Sequence, residues 1–155
     1  MRLTILTGLF VILLCGSAAA QTYSQSIGIR GGTQQGITYK KFVSGNNALE
    51  GILGFRRNGF VFTGLYQIHA GAFDVPRLNW FYGAGGHIGF FGADDHHVWD
   101  RDPFMTLGVD GIIGLEYHIQ EIPFAISIDF KPYFNFIGNF GPHFDSGAIS
   151  IRYTF

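Results

Sequence analysis

Residues 124–137 read FAISIDFKPYFNFI, and this stretch decides the fold class. Every second residue from Phe124 to Phe136 is a bulky apolar residue or a proline, whereas the residues between them include Ser127 and Asp129. Successive side chains of a β-strand point to opposite faces, so the alternation predicts a strand with one apolar and one polar face. A helix would scatter both rows around its circumference.

The same alternation recurs along the rest of the chain, and turn residues separate the alternating segments. Asn58-Gly59 lies between two such segments, and this dipeptide is a strong hairpin signal. Ser44 to Asn47 and Gln120 to Pro123 are further predicted turns. The pattern predicts an all-β fold of about eight antiparallel strands: Tyr23–Arg30, Gly36–Phe42, Ala48–Arg57, Phe60–His69, Leu78–Phe91, Phe104–Ile119, Phe124–Ile137 and Gly147–Phe155.

Composition favours a membrane environment for these strands. Charged residues make up 14% of the chain and aromatic residues 17%, whereas soluble domains average about 25% charged residues. The polar rows are mostly Gly, Ser, Thr and Asn with isolated charges, and the apolar rows are rich in Phe, Tyr and Ile. We therefore predict an up-and-down transmembrane β-barrel. The competing prediction is a soluble, lipocalin-like barrel with the apolar rows inside.

The N-terminus has the features of a secretory signal peptide. Arg2 precedes a nearly continuous apolar run from Leu3 to Leu14, and Ala18-Ala19-Ala20 provides a small-residue cleavage site. We predict a cleaved signal peptide over residues 1–20 and one barrel domain over residues 21–155. Two alternatives are a buried N-terminal helix and a lipid-modified Cys15.

The last strand carries a resemblance to a known family. Ser150-Ile151-Arg152-Tyr153-Thr154-Phe155 resembles the C-terminal strand of bacterial outer-membrane β-barrel proteins, and the strand number and rhythm are similar to small OmpA/OmpX-type, porin-like barrels. The resemblance implies a place in the Gram-negative outer membrane, contact with its lipid, and recognition by the barrel-assembly machinery through Tyr153 and Phe155. This family contains adhesins, structural anchors, narrow channels and a few enzymes.

The alternation places several charged residues on the polar, inward face. Opposite charges on facing positions can pair, and we expect Lys40 to lie opposite Glu50 and Asp129 near Arg152. These side chains are predicted to fill and brace the barrel interior, and an ion or proton path is the alternative. The predicted lumen charge network is Lys40, Glu50, Arg56, Asp110, Glu116, Asp129, Lys131 and Arg152.

Other functional signals are weak. The connection at residues 92–103 contains Asp94, His96, His97 and Trp99, which makes it a candidate surface-ligand loop but gives no fixed metal-ligand spacing.

Ser127 shares the inward face with His118, which keeps a lipid-modifying enzyme open as an alternative. The net charge of −1 gives no reason to expect nucleic acid as a partner. We predict no cofactor, metal or catalytic site, and a structural or surface-interaction role. A narrow pore for small solutes is a further alternative.

The aromatic residues complete the prediction for the outer wall. Aromatic side chains favour the two membrane interfaces, where an apolar ring and a polar tip both find suitable surroundings. With both chain ends on the periplasmic side, an outer girdle is expected from Phe60, Phe90, Phe134 and Phe136. The inner girdle is expected from Tyr66, Trp80, Tyr82, Tyr117, Tyr153 and Phe155.

Overall fold

The structure, a computed structural model, describes residues 23–92, 104–144 and 146–155, and the regular structure in these ranges is entirely β. The predicted signal peptide and nearly all of the predicted loop at residues 92–103 lie outside the described residues. No helix in the described part of the chain is long and apolar enough to cross a membrane. The described strands are β1 (Gln25–Gly32), β2 (Gln35–Ser44), β3 (Asn47–Arg56), β4 (Gly59–Gly71), β5 (Leu78–Phe91), β6 (Phe104–His118), β7 (Phe124–Phe130), β8 (Tyr133–Ile137), β9 (Gly141–His143) and β10 (Gly147–Thr154).

The strands form a closed antiparallel barrel. Consecutive strands pair from β1 to β6, β7 pairs with both β6 and β10, and β10 pairs with β1 to complete the circle. Strand β6 pairs first with β7 and then, in the same register, with β8: Ile113 faces Phe130, and Asp110 faces Tyr133. Since β7 and β8 together occupy one position in the wall, the barrel has the predicted eight strands.

The predicted strand Phe124–Ile137 is interrupted in the structure. Lys131 and Pro132 separate β7 from β8, and proline has no backbone N–H to donate to a strand ladder. Beyond this break, β8 pairs with β9 rather than with β10. The predicted connection at residues 138–146 therefore contains a short strand that the sequence pattern did not indicate.

The two turns with the clearest sequence signals are present. Ser44 pairs with Asn47 across the turn that joins β2 and β3, and Arg56 pairs with Gly59 across the turn that joins β3 and β4. Asn58 has a φ of 61°, a left-handed conformation that Asn tolerates better than most residues. The most clearly shifted element is the first strand, which runs two residues later than predicted.

The barrel is polar inside and apolar outside. Along β7, Ala125, Ser127 and Asp129 are buried, whereas Ile126 and Ile128 are exposed to 41% and 57%. Every strand from β1 to β7 and β10 carries exposed bulky apolar residues on its outer face. This arrangement is the reverse of a lipocalin-like barrel, whose apolar rows face inward.

Two inward-facing glycines allow neighbouring strands to approach closely. A Cβ atom at Gly83 or Gly85 would collide with the backbone of β4 at Tyr66 or Gly64. Glycine in a strand often marks such a close backbone approach. This packing explains part of the glycine cluster in β5.

Candidate functional site

Arg152 lies at the centre of a buried polar cluster at the end of the barrel where Gln25 and Phe155 meet. We call this the terminal end, and the opposite end, with the turns at residues 33–34 and 57–58, the distal end. The Arg152 guanidinium donates to Glu50 at 2.5 Å, to Glu116 at 3.1 Å and to the Ser127 hydroxyl at 2.7 Å. Because it contacts two carboxylates and one hydroxyl, Arg152 joins β3, β6 and β7 to its own strand across the interior.

The same carboxylates receive further donors. Lys40 donates to Glu116 at 2.9 Å and lies 4.5 Å from the centre of the Phe81 ring. Thr38 and Gln67 donate to Glu50. Charge-assisted hydrogen bonds of this kind are stronger than neutral ones. We refer to Thr38, Lys40, Glu50, Gln67, Glu116, Ser127 and Arg152 as the terminal network.

Tyr23 contacts the terminal network at the terminal end of the barrel. Its hydroxyl donates to Glu116 at 2.5 Å, and its ring packs against Phe42 and His118. Burial, followed by the negative charge of Glu116, raises the pKa of the Tyr23 phenol well above its usual value. The phenol therefore remains a neutral hydrogen-bond donor over the physiological pH range.

A second polar cluster lies toward the distal end. The Asp110 carboxylate accepts from Lys131 and lies 2.6 Å from Nδ1 of His87. Nε2 of His87 lies 2.8 Å from the Asn135 side-chain oxygen, and the Asn135 amide nitrogen donates to the backbone oxygen of Asn139 at 3.3 Å. Both ring nitrogens of His87 thus face acceptors. We call His87, Asp110, Lys131 and Asn135 the distal network.

Arg30 and Asp129 form an ion pair between the two networks. Two guanidinium nitrogens donate to the two carboxylate oxygens at 2.5 and 2.6 Å, and both side chains are fully buried. Asp129 lies two residues from Ser127 and two from Lys131 along the chain, which places the pair between the clusters. Buried charges require pairing of this kind.

The charges inside the barrel balance. Ion pairs among the described residues connect the basic side chains Arg30, Lys40, Lys131 and Arg152 with the acidic side chains Glu50, Asp110, Glu116 and Asp129. Four positive and four negative groups leave no net charge before His87 is counted.

An apolar cluster separates the two networks on one side of the interior. Ile52, Leu65, Phe81 and Ile112 pack together and are almost completely buried. Ile52 lies two residues beyond Glu50 on β3, and Ile112 lies two residues from Asp110 on β6. A continuous polar path from end to end is therefore absent from the side formed by β3 to β6 in the described barrel.

A cavity of about 130 Å³ opens at the distal end. Its lining combines polar and aromatic side chains: Gln34, Arg56, Val61, His87, Phe91, Thr106, Lys131, Tyr133, Asn135 and Asn139. Arg56 is exposed, whereas Lys131 and His87 are buried, with exposed fractions of only 2% and 6%. The cavity therefore reaches from the exposed Arg56 to the buried polar interior.

The structure brings together most of the residues predicted for the lumen charge network, but with different partners. Lys40 faces Glu50 in the strand register, yet its ammonium group bonds Glu116 across the lumen, and Glu50 bonds Arg152. Asp129 pairs with Arg30 instead of Arg152.

Arg56 departs from the predicted network. The structure places it exposed at the distal cavity, and it forms no ion pair with another described residue. Arg56 is the last residue of β3 and lies at the open end of the barrel. The alternation of apolar and polar residues predicts that its side chain points inward, but it does not predict that the side chain is exposed there.

Sequence reasoning also missed several uncharged members of the site. Thr38, Gln67 and Asn135 all lie on the inward rows, and their alternation with apolar neighbours was the available signal. Tyr23 is the predicted start of the first strand, whereas in the structure it lies before β1 and contacts Glu116.

Ser127 is not arranged as a nucleophile beside a histidine. Its hydroxyl accepts from Arg152, whereas His118 lies near Arg77 and the Thr154 hydroxyl. In the described ranges, no group of three or more His, Cys, Asp or Glu side chains is arranged to hold a metal ion.

The predicted assembly residues lie on the outer wall at the terminal end. Tyr153 and Phe155 are exposed to 46% and 54%, and their rings stack with centres 6.0 Å apart. The backbone of Phe155 exchanges two hydrogen bonds with Gln25 at 2.8 and 2.9 Å. The C-terminal strand is thus paired on both sides.

The fold and the site define a closed eight-stranded β-barrel with a charged, self-paired interior. A scan against protein-family models, a search of curated proteins and a search of solved structures each found no match to this chain.

Proposed function

We propose that this chain is an integral outer-membrane β-barrel protein with a structural or surface-interaction role and a lumen filled by side chains. The observation that carries the proposal is the distribution of polarity. Bulky apolar side chains cover the outer wall, and paired charges occupy the interior. A lipid bilayer accommodates the apolar outer wall, while the barrel encloses the paired charges away from the lipid.

The outer wall is too apolar for a soluble monomer. Ile29, Ile128 and Phe136 are exposed to 66%, 57% and 54%, and similar residues surround the barrel. Contiguous apolar patches on soluble monomers rarely exceed a few hundred Å². A closed barrel also satisfies its backbone hydrogen bonds internally, which a membrane-spanning structure requires.

Aromatic residues at the terminal end fit an interfacial girdle. Tyr66, Trp80, Tyr117 and Tyr153 are exposed to between 37% and 46%, and rings with a polar tip favour the membrane–water interface. At the distal end, Phe60, Phe90 and Phe136 are similarly exposed. We place the terminal end on the periplasmic side and the distal end outside.

The C-terminal strand supports a route into the membrane. Its aromatic end at Tyr153 and Phe155 lies on the outer wall, where a binding partner can reach it before the barrel closes against β1. We propose that the barrel-assembly machinery recognises these residues, and that the loop at residues 92–103 contacts a surface ligand.

The interior favours a structural role over the alternatives. Arg152, Lys40 and Phe81 are among the largest fully buried side chains, and an eight-stranded barrel is only wide enough to be filled by side chains. Such an interior opposes steady passage of large solutes. The bonding of Ser127 to Arg152 gives no support to a lipid-modifying enzyme.

Fractionation of cells that express the full chain tests the membrane proposal. The protein should be found in the outer membrane, and a folded sample should migrate differently on a gel before and after boiling. Recovery of the folded barrel from a soluble fraction without detergent would contradict the proposal.

Planar-bilayer recording tests the filled lumen. The purified monomer should give no stable conductance to large solutes, because the ion pairs and the apolar cluster occupy the interior. Large steady conductance steps that are traced to the monomer would favour the pore alternative instead.

A further inference from the structure

The charged side chains at the distal cavity share one sign. Arg56 and Lys131 line it together with His87, and no carboxylate is among its described lining residues. Asp110 is the nearest described acid in the network, and it contacts both Lys131 and His87. A concave site lined by one sign of charge concentrates ions of the opposite sign.

His87 lies at the cavity between two polar partners. Its Nδ1 faces the Asp110 carboxylate, and its Nε2 faces the oxygen of Asn135. The Asn135 amide nitrogen in turn donates to the Asn139 carbonyl. These contacts hold the His87 ring in position at the cavity wall.

The local charge suits an anion. Arg56 and Lys131 supply two positive charges, and Asp110 supplies one negative charge. The result is a net charge of +1 around a cavity of about 130 Å³, which has room for a small oxyanion but not for a large solute.

Suitable donors are also present. The Arg56 guanidinium is a planar fork that matches phosphate oxygens, and it is exposed at the cavity. Lys131 has three N–H donors, of which Asp110 accepts one. Gln34 and Thr106 add neutral polar groups to the lining.

We propose that the distal cavity binds a phosphate group, with Arg56 and Lys131 as its principal contacts and His87 as a further polar contact. The group belongs either to a small soluble phosphate or to a lipid headgroup. This proposal deepens the surface-interaction role and rests on it for the statement that the cavity faces outside the cell. The binding chemistry itself depends only on the folded barrel.

The test uses the full-length mature barrel, purified and folded in a neutral detergent. Inorganic phosphate is titrated into the protein and into two variants, with binding followed by calorimetry. Arg56→Gln removes a cavity charge at an exposed position, so the fold should persist. Arg57→Gln is the matched control, because Arg57 is the exposed neighbour that does not line the cavity.

We expect phosphate to bind with a Kd near or below about 1 mM. Because hydrogen bonds from charged groups are stronger than neutral ones, Arg56→Gln should weaken phosphate binding roughly tenfold or more. Arg57→Gln should leave the Kd within about twofold, since only screened, longer-range attraction is lost. Arg56→Glu should abolish binding.

Comparing ligands identifies the source of the group. Equal affinity for glycerol 3-phosphate and short-chain phosphatidic acid supports a soluble phosphate, whereas much tighter, Arg56-dependent binding of phosphatidic acid supports a lipid headgroup. The proposal is overturned if phosphate fails to bind, or if the variants at 56 and 57 lose affinity equally. Neither failure bears on membrane localisation, which the fractionation experiment tests separately.

Discussion

Arg30 and Asp129 are joined across an intervening strand. Arg30 lies on β1 and Asp129 on β7, and β10 runs between them, with Ser150 facing Arg30 and Ala148 facing Asp129. Two hydrogen bonds, at 2.5 and 2.6 Å, link the guanidinium to the carboxylate. The pair therefore spans the contact between β1 and β10, where the two ends of the chain close the barrel.

Breaking this pair should strongly destabilise the barrel. Asp129→Asn leaves the Arg30 guanidinium buried without its counter-charge, and loss of one partner of a buried ion pair costs about 3–5 kcal/mol. The double variant Arg30→Gln, Asp129→Asn should recover much of this loss, because both groups are then neutral. Urea-induced unfolding of barrels folded into lipid vesicles measures each free energy. A double variant as unstable as the sum of the two single variants would contradict a coupled pair.

Ser127 and Ser150 provide a matched comparison of two buried hydroxyls. They face each other between β7 and β10, and both are almost fully buried. The Ser127 hydroxyl accepts a hydrogen bond from Arg152 at 2.7 Å, whereas the Ser150 hydroxyl has no hydrogen-bond partner among the described residues. Their contributions to stability should therefore differ.

Ser127→Ala should reduce the free energy of unfolding by about 1–3 kcal/mol, since a charged donor of Arg152 loses its acceptor. Ser150→Ala should cost less than about 1 kcal/mol, because no protein hydrogen bond is lost. Both values come from the same vesicle unfolding measurement. Equal losses for the two variants would show that the bond to Arg152 contributes little.

The sequence was sufficient to predict which residues face inward. Alternation around Ser127 and Asp129 assigned the faces of β7, and Asn58 marked a turn that the structure contains. These features are local, because the strand period and turn chemistry depend on neighbouring residues. The eight barrel strands followed from the same local signals.

The sequence was not sufficient to predict the ion-pair partners. Lys40 and Glu50 face each other on neighbouring strands, yet Lys40 bonds Glu116 and Glu50 bonds Arg152. Long side chains inside a narrow barrel reach across the lumen, and their partners depend on how the closed strands are staggered. That stagger is a property of the whole barrel.

Local signals also left two features unpredicted. Pro132 interrupts the ladder of the predicted seventh strand, although it lies on the same row as Phe130. Arg56 occupies an inward-facing position in the alternation of β3 but lies at the open distal end, where it is exposed. The alternation predicts the direction of a side chain and does not predict how deep in the barrel it lies.

The outer face of β7 gives the most direct test of the membrane proposal. Ile128 is exposed to 57% in the middle part of the wall, between Leu115 on β6 and Ile149 on β10. Val43 is exposed to 49% near the terminal end of β2. An arginine on a lipid-facing wall costs about 2–4 kcal/mol at the midplane and about 0–1 kcal/mol near the interface.

Ile128→Arg should therefore reduce the free energy of folding into vesicles much more than Val43→Arg. Both changes place the same charge on an exposed outward position, so the difference reports depth in lipid. Spin labels give an independent measurement on one strand. Labels at 126, 128 and 130 should be quenched by a lipid-soluble reagent, and labels at 127 and 129 should be protected. If both arginines are tolerated equally, and the labels at 126, 128 and 130 respond only to a water-soluble reagent, the outer wall faces water and the membrane proposal fails.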